Sequence, residues 1–415
     1  MKKSLIALAA LAAVSAASAQ SSVTLYGLVD IGYGSQVTEQ RAGVNGTATQ
    51  RSRGVMDGAN AGNRIGFRGV EDLGGGLKAN FVVEQGISPT SGALFAQRAA
   101  SSGQQVGTPI ASGYPASFTG LPGISGAGGI IGTTAYSAST NRQSYLGLSS
   151  ASFGTVNIGY QYTNQYELST LSGYSLGSEG LSGASVAHVF GHSYVGGTRA
   201  NGLTYISPNF AGGFTVRAQY GSGGAAPETN IATTNAGVTT SNDSRRYSLM
   251  GQYANGPLSA ALSYTRNRVN TPATVASRSG SLTALGASYD FGVAKLAGTY
   301  NTGRDGGIGA ANFGAAAGTS TAYRAYTVGL SAPFGAFVPF VTIGRARATT
   351  EGLADRTINV TQAQVGARYS LSKRTTAYAF YGTATDNAAQ NALVPGTAGS
   401  VYKDKKTIVG VAHAF

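Results

Sequence analysis

A strict alternation of apolar and polar side chains constrains the fold of this chain more than any other feature of its sequence. It is clearest in Asn63–Gln85, which reads NRIGFRGV, EDLGGG and LKANFVVEQ. Ile65 and Phe67 share one face of the first arm, and Arg64 and Arg68 share the other, since successive strand side chains point to opposite faces. The glycine-rich EDLGGG supplies a tight turn. The stretch therefore predicts a hairpin with one apolar and one polar face.

The same pattern recurs along the chain and predicts an all-β, 16-stranded antiparallel transmembrane β-barrel. It places an opening strand at 21–34, a closing strand at 403–415 and seven hairpins at 63–85, 142–163, 201–221, 245–266, 281–301, 322–345 and 359–383. Short turns alternate with long polar connections, as in barrels with short periplasmic turns and long external loops. A barrel of about sixteen strands encloses an aqueous channel rather than a packed core.

The composition agrees with a lipid-facing barrel that has a wet interior. Charged residues make up 11% of the chain and hydrophobic residues 42%, whereas a soluble chain carries about 25% charged residues. The 62 glycines disfavour long helices. A soluble all-β array is the alternative, and it would have to bury one face of many strands in a core.

The N-terminal segment MKKSLIALAALAAVSAASAQ is typical of a secretory signal peptide. Lys2 and Lys3 form its basic region, an apolar stretch follows, and Ala17-Ser18-Ala19 is a small-residue cleavage site. We expect residues 1–19 to be removed and residues 20–415 to form a single barrel domain. The apolar stretch is too short for a membrane-spanning helix.

Charge and residue usage argue against several function classes. The net charge of +13 is scattered singly, without a basic run that would mark a nucleic-acid face. The chain has no cysteine for thiol chemistry. His188 and His192 lie four apart, but HVFGH lacks the glutamate of a metalloprotease motif. His413 shares a strand face with apolar residues and reads as interfacial. We therefore predict no catalytic residue, no metal and no cofactor.

Three long segments separate the predicted strands. The polar segment Ser35–Gly62 is predicted to be a surface loop, and the Gly/Ser/Pro-rich segment 87–140 an unusually long external loop. Asn164–Gly197 is predicted to fold into the lumen as the constriction loop. It carries the acidic residues Glu167 and Glu179.

Strand alternation predicts a basic side of the constriction opposite that loop. Its arginines are Arg64, Arg68, Arg199, Arg217 and Arg368. Acidic groups on one side and basic groups on the other would set a transverse field, and excess positive charge would favour anions. We therefore predict a passive channel for small hydrophilic solutes and ions with a mild preference for anions.

Six segments together resemble the trimeric general-diffusion porins of Gram-negative outer membranes. They are SSVTLYGLVD (21–30), NRIGFRGVEDLGGGLKANFVVE (63–84), YLGLSSASFGTVNIGYQYT (145–163), NGLTYISPNFAGGFTVRAQY (201–220), LSKRTTAYAFYG (371–382) and the terminal TIVGVAHAF. The resemblance extends over the whole chain, whereas the loops diverge.

The resemblance implies a homotrimer of 16-stranded barrels, each with a pore narrowed by the third external loop. It also implies partners: outer-membrane lipid and lipopolysaccharide, the barrel-assembly machinery, and small solutes and ions. Phe415 would be part of the assembly signal, and Arg64 and Arg199 would belong to the basic side of the constriction. The segment 87–140 is longer than the second loop that latches onto a neighbouring subunit in similar porins.

Two positions depart from the pattern of similar porins. Tyr160 stands where such porins usually carry a pore-lining arginine, and Leu28 stands where some carry lysine. Both departures weaken the basic cluster. A substrate-specific channel and an adhesin with ligand-binding loops remain alternative functions, and so does a barrel enzyme. The enzyme would need a histidine near the rim beside acids or serines.

Overall fold

The computed structural model describes thirteen parts of the chain. They are residues 22–42, 46–57, 60–90, 93–94, 141–172, 199–222, 230–231, 240–241, 243–270, 278–305, 320–350, 357–386 and 401–415. The predicted signal peptide, most of the segment 87–140, the histidines His188 and His192, and Glu179 lie outside these parts.

Sixteen strands form the barrel wall, and they confirm the predicted fold. They are β1 (Ser22–Ala42), β3 (Arg64–Gly74), β4 (Leu77–Ser88), β6 (Asn141–Ser150), β7 (Gly154–Tyr162), β8 (Arg199–Ile206), β9 (Phe214–Ser222), β12 (Asp243–Asn255), β13 (Leu258–Asn270), β14 (Arg278–Asp290), β15 (Lys295–Asp305), β16 (Thr321–Ser331), β17 (Phe337–Thr350), β18 (Thr357–Ser370), β19 (Thr375–Asp386) and β20 (Val401–Ala414).

Four further strands and one helix accompany the wall within the described parts of the chain. They are β2 (Gly46–Asp57), β5 (Ala93–Leu94), β10 (Asn230–Ile231), β11 (Thr240–Ser241) and α1 (Asn164–Ser172). In the parts of the chain that the structure describes, no helix is long and apolar enough to cross a membrane.

The barrel closes where the first strand meets the last. Each wall strand pairs antiparallel with its neighbours, and β1 pairs with β20 over fourteen residues on one side and with β3 on the other. At the seam Gly27 and Phe415 exchange two backbone hydrogen bonds of 3.0 and 3.1 Å. Closure removes the free sheet edges, whose unpaired backbone groups could not be satisfied in lipid.

The two faces of the wall have the polarity that membrane insertion requires. Exposed outward residues such as Leu262, Tyr264 and Val341 are apolar or aromatic, whereas Thr265 and Asn301 are buried on the inner side. This arrangement is the reverse of a soluble protein, because the outer face contacts lipid and the inner face surrounds water. The wall thus has the apolar outer face and the polar inner face that strand alternation predicts.

The prediction of a surface loop over Ser35–Gly62 is wrong for most of its length. β1 continues to Ala42, and residues from Ile31 onward pair with β2, so that Val37 lies opposite Arg51. The polar composition of this segment suggested a loop. A backbone ladder, however, does not need apolar side chains, and residues such as Val37 favour strands.

Short connections join the strands at one end of the barrel. Between β3 and β4, Gly74, Gly75 and Gly76 have φ angles of 84°, 60° and 79°, a region that glycine adopts without a steric penalty. EDLGGG is thus the tight turn that the sequence predicts. The connections at the other end are longer, and most of their residues lie outside the described parts.

Candidate functional site

The inner wall of the barrel carries a cluster of arginines around one carboxylate. Arg64 begins β3, and its Nε lies 3.8 Å from Oε2 of Glu84 on β4. Arg142 on β6 donates from Nε to Oε1 of Glu84 over 2.6 Å. The two arginines are on different strands, and the pairing of β3 and β6 with β4 brings both of them next to the Glu84 carboxylate.

Two tyrosines complete the hydrogen bonding of this carboxylate. Tyr26 on β1 donates to Oε2 of Glu84 over 3.1 Å, and Tyr162 at the end of β7 donates to Oε1 over 3.2 Å. Arg142 also donates from Nη2 to the Tyr162 hydroxyl over 2.9 Å. Glu84 is thus held by several donors, which is what a buried charge needs to remain ionised in a protein wall.

Two more of the predicted arginines stack on the same tyrosines. The guanidinium carbon of Arg68 lies 5.2 Å from the ring centre of Tyr26, and that of Arg199 lies 5.0 Å from the ring centre of Tyr162. Both distances fit cation–π contacts. We call the set formed by Arg64, Arg68, Glu84, Arg142 and Arg199, with Tyr26 and Tyr162, the lumen cluster.

The charged side chains of the lumen cluster differ in how much of their surface is exposed. The side chain of Arg64 is 29% exposed, whereas that of Glu84 is 6% exposed. The guanidinium of Arg64 is therefore partly accessible to solvent, while the carboxylate lies behind its donors. Four cationic side chains and one anionic side chain leave this part of the wall positive.

A second network holds the segment that leads into Arg64. Asp30 on β1 is fully buried, and its Oδ2 accepts hydrogen bonds from the backbone N–H groups of Asn60 and Ala61 over 2.7 and 2.6 Å. Its backbone N–H donates to the side-chain oxygen of Asn63. Tyr378 on β19 donates its hydroxyl to the same carboxylate. We call residues 60–63, held in this way, the Asp30-anchored segment.

The Asp30-anchored segment links two of the predicted arginines. Arg64 donates from Nη1 to the carbonyl oxygen of Gly62 over 3.2 Å, and Arg368 on β18 donates from Nε to Oδ1 of Asn60 over 2.9 Å. Arg368 also stacks on the Phe340 ring at 5.0 Å. One short piece of chain thus positions two basic side chains that are 304 residues apart in the sequence.

The predicted inward segment begins as helix α1 inside the barrel. Thr163 caps the helix, because its hydroxyl accepts from the backbone N–H of Tyr166 over 3.2 Å. Asn164 donates from its side-chain amide to the Ser248 hydroxyl on β12 over 3.0 Å, and its backbone N–H donates to the Gln219 side-chain oxygen over 2.8 Å. Leu168 is fully buried in a cluster with Met250, Ala261 and Ala284.

One acidic residue of this segment pairs with a predicted basic residue. Arg217 on β9 and Glu167 on α1 form an ion pair of 3.2 Å between Nη1 and Oε1. Arg217 also donates from Nη2 to the carbonyl oxygen of Tyr162. The sequence suggested that these two charges face each other across the lumen. They are in contact instead, because α1 starts beside β9, and the pair largely cancels its own charge.

The remaining predicted residues have the following places. Tyr160 is half-buried on β7, where it pairs with Ser144 and Asn201. Phe415 lies at the closing seam. Glu179 falls outside the described residues. Roles of these residues in the constriction and in assembly stay predictions.

Three charged residues of the site were not singled out from the sequence: Asp30, Glu84 and Arg142. The alternation places Glu84 on the polar face of its strand, but its partner Arg142 is 58 residues away. A lone acidic residue on the inner face of a strand was the available signal. The sequence does not say which other strand supplies its partner.

The described residues contain no group of three or more side chains suited to hold a metal ion. His413 is exposed on the outer face, where its Nδ1 lies 2.9 Å from the Thr375 hydroxyl.

Comparisons with known proteins place these features in a family. Residues 7–389 match the family model described as Gram-negative porin. The chain is 30% identical to an outer membrane porin protein of Bordetella pertussis and 31% identical to outer membrane porin protein 32 of Delftia acidovorans, each over the full length of both chains.

Solved structures share the fold. An anion-selective porin from Comamonas acidovorans superposes with a TM-score of 0.58 at 24% identity, over 95% of this chain and 100% of that one. The trimer form of OmpT from Vibrio cholerae superposes with a TM-score of 0.53 at 13% identity, over 94% and 99%.

Proposed function

The chain belongs to the Gram-negative porin family, and we propose that its barrel is a passive, water-filled channel for small hydrophilic solutes and ions with a mild preference for anions. The protein is an outer-membrane β-barrel, and its family and fold are those of channels rather than enzymes. No bond chemistry and no energy source is required. Solutes are selected by pore width and by the charge of the inner wall.

The lumen cluster is the observation that carries the anion preference. Its arginines outnumber its carboxylate, and Arg64 is more accessible than Glu84. The Arg217–Glu167 pair adds little net charge, since its members are in contact. A positive wall raises the local concentration of anions and lowers that of cations. The porin from Comamonas acidovorans, which shares this fold, is described as anion-selective.

Planar-bilayer recording in a salt gradient tests the proposal. We expect stable conductance steps and a reversal potential that indicates modest anion preference, and Arg64→Ala should shift that potential toward cations. Arg53→Ala is the matched control, because Arg53 is exposed on β2 opposite Ser35 and outside the lumen cluster. Absence of stable steps would reject the channel, whereas clear cation preference of the unaltered protein would reject only the selectivity.

We further propose that the protein is a homotrimer. Tyrosines at membrane–water interfaces mark a lipid-facing wall. The exposed tyrosines are Tyr33, Tyr220, Tyr247, Tyr264, Tyr289, Tyr300, Tyr326, Tyr369 and Tyr381. Within the described residues, none of them is on β3, β4, β6 or β7, whose exposed residues include Phe67, Leu146 and Ile158. An apolar wall without interfacial tyrosines suits contact with a sister subunit, and a solved structure of this fold is described as a trimer.

Export and assembly complete the proposal. Residues 1–19 would direct the chain across the inner membrane and be removed, so that the mature chain begins at Gln20. The terminal strand ending in Phe415 would be recognised by the barrel-assembly machinery. Its position supports this role, because β20 closes the barrel against β1 and Phe415 forms the last backbone contact of the seam.

A further inference from the structure

Three arginines stand close together on the lipid side of the barrel, outside the pore. Arg324 on β16 and Arg345 and Arg347 on β17 are all exposed. On β16 the exposed residues alternate with buried ones such as Tyr323 and Ala325, and Arg324 shares its face with the outward Tyr326. We call these three residues the outer arginine triad.

The ladder brings the members of the outer arginine triad side by side. Arg324 and Arg347 are direct partners across β16 and β17, and Arg345 lies opposite Tyr326. Side chains that face each other in an antiparallel pair have Cβ atoms about 5 Å apart. Residues two apart on one strand are separated by roughly 7 Å. Three guanidinium groups therefore share a surface that one small anion can reach.

This arrangement is unfavourable without an anion. Like charges directly opposite each other destabilise a strand pair. β13, β16, β17 and β18 contain no aspartate or glutamate, and the acidic residues of β14 and β15 are Asp290 and Asp305 at strand ends. Among the described residues, no carboxylate forms an ion pair with the triad. The positive charge thus lacks a counterpart within this part of the chain.

The height of the triad on the barrel restricts the source of the anion. Arg324 lies beyond Tyr326 toward the external end of β16, and the exposed Tyr300 lies directly opposite Tyr326 on the neighbouring strand β15. Outward tyrosines sit at the level of lipid headgroups. Guanidinium groups just beyond them reach the headgroups of the outer leaflet, where phosphates are the available anions. Arginine binds phosphate through parallel hydrogen bonds that lysine cannot form.

We propose that Arg324, Arg345 and Arg347 form a binding site for the phosphate groups of an anionic lipid in the outer leaflet. The site would fix such a lipid against β16 and β17, and the bound phosphate would offset the repulsion between Arg324 and Arg347. The inference depends on the membrane location of the barrel and not on its conductance. Failure of the lipid site would leave the channel proposal intact.

Native mass spectrometry of the purified, detergent-solubilised protein tests the site. The probe is diphosphorylated lipid A, and the same lipid without its phosphates and inorganic phosphate are added in separate samples. The variant is R324Q/R347Q. The matched control is K373Q/R374Q, which removes the same charge from exposed residues in the turn between β18 and β19.

We expect the phosphorylated lipid to bind the unaltered protein and the control with similar affinity. Its affinity for R324Q/R347Q should be lower by a factor of about ten or more. Equal binding by R324Q/R347Q and the control would overturn the site, as would equal binding of the dephosphorylated lipid. Displacement of the lipid by inorganic phosphate at equal concentration would show that a free anion suffices, which would overturn the lipid as occupant.

A measurement of thermal stability on a single variant keeps the proposal testable if R324Q/R347Q does not fold. In detergent without lipid, R324Q should raise the temperature at which the barrel unfolds on a heat-modifiability gel, because it removes the repulsion with Arg347. Added phosphorylated lipid should then stabilise the unaltered protein more than R324Q. Equal stabilisation of both proteins would contradict the proposal even if the double variant does not fold.

Discussion

Glu84 is the carboxylate at the centre of the lumen cluster, so neutralising it makes this part of the wall more positive by one unit of charge. Its removal would leave Arg64 and Arg142 without their shared anionic partner. In water, a unit charge about 8 Å from a passing ion changes the energy of that ion by about 0.5 kcal/mol, which corresponds to roughly a twofold change in partitioning.

Because anion partitioning rises and cation partitioning falls by about this factor, we expect Glu84→Gln to raise the ratio of anion to cation permeability about fourfold, measured as a reversal potential in a salt gradient. Glu39→Gln is the control, since Glu39 pairs with Lys405 over 2.9 Å between β1 and β20, away from the lumen cluster. The selectivity of the control should not change. An unchanged or lowered ratio for a folded Glu84→Gln barrel would show that this carboxylate does not influence the ions.

Asp30 has a structural role in the same wall, because its carboxylate holds the backbone of the Asp30-anchored segment and does not contact a solute. Its carboxylate accepts from two backbone N–H groups and from Tyr378. An asparagine has a single acceptor oxygen and no charge, so Asp30→Asn must leave donors unpaired. Hydrogen bonds to charged groups contribute about 1.5–3 kcal/mol each.

We expect Asp30→Asn to lower the unfolding temperature and to make the open-channel current noisier, because the Asp30-anchored segment supports both Arg64 and Arg368. Asp290→Asn is the control: Asp290 accepts from Gly292 in an exposed turn. If the two variants behave alike in thermal and current measurements, the anchoring role of Asp30 is wrong.

At the scale of elements, the closing seam between β1 and β20 depends on one small residue. A Cβ added at Gly27 would lie 2.3 Å from the Phe415 ring and 2.8 Å from the carbonyl oxygen of Arg64. The ring and the adjoining backbone would have to move, and overpacking of this kind costs about 1–3 kcal/mol. Gly251 on β12 has no heavy atom within 4 Å of such a Cβ.

Gly27→Ala should therefore lower the yield of folded barrel and its unfolding temperature, followed on heat-modifiability gels. Gly251→Ala should be neutral or slightly stabilising, as expected for a glycine replaced by alanine in open space. Equal stability of the two variants would mean that the seam tolerates a displaced Phe415 ring.

The strands and their faces could be predicted from the sequence, because alternation is a local property. Ile65 and Phe67 face outward and Glu84 faces inward, because successive side chains of a strand point to opposite faces of the sheet. The partners of inward residues could not be predicted in the same way. Tyr378 reaches Asp30 across 348 residues, and only the closure of the barrel brings them together.

Helix α1 was missed for a related reason. Its cap Thr163 is a recognisable start signal, but the glycine-rich composition of the following segment argued against a helix. Its position beside β9 brings Glu167 against Arg217, whereas a loop reaching across the lumen would have separated them. The charge pattern alone could not distinguish these two courses of the chain.

At the scale of the whole molecule, the outer wall has two sides of different character. One side, which runs from β9 through β19 and β20 to β1, carries the exposed tyrosines, and the outer arginine triad lies within it. The other side presents apolar residues such as Leu146 on β6. If the protein is a trimer, the first side faces lipid and the second faces sister subunits.

Single cysteines can distinguish these two sides, since the chain has no cysteine of its own. Leu146 and Leu262 are 63% and 56% exposed in the isolated barrel, and they lie on β6 and β13. A fluorophore attached to Leu262→Cys should be quenched by brominated lipids in vesicles, and one attached to Leu146→Cys should be protected by a sister subunit. Equal quenching at both positions would contradict a trimer that is assembled through β3, β4, β6 and β7. Protection at Leu262 and quenching at Leu146 would place the contact on the tyrosine-bearing side instead.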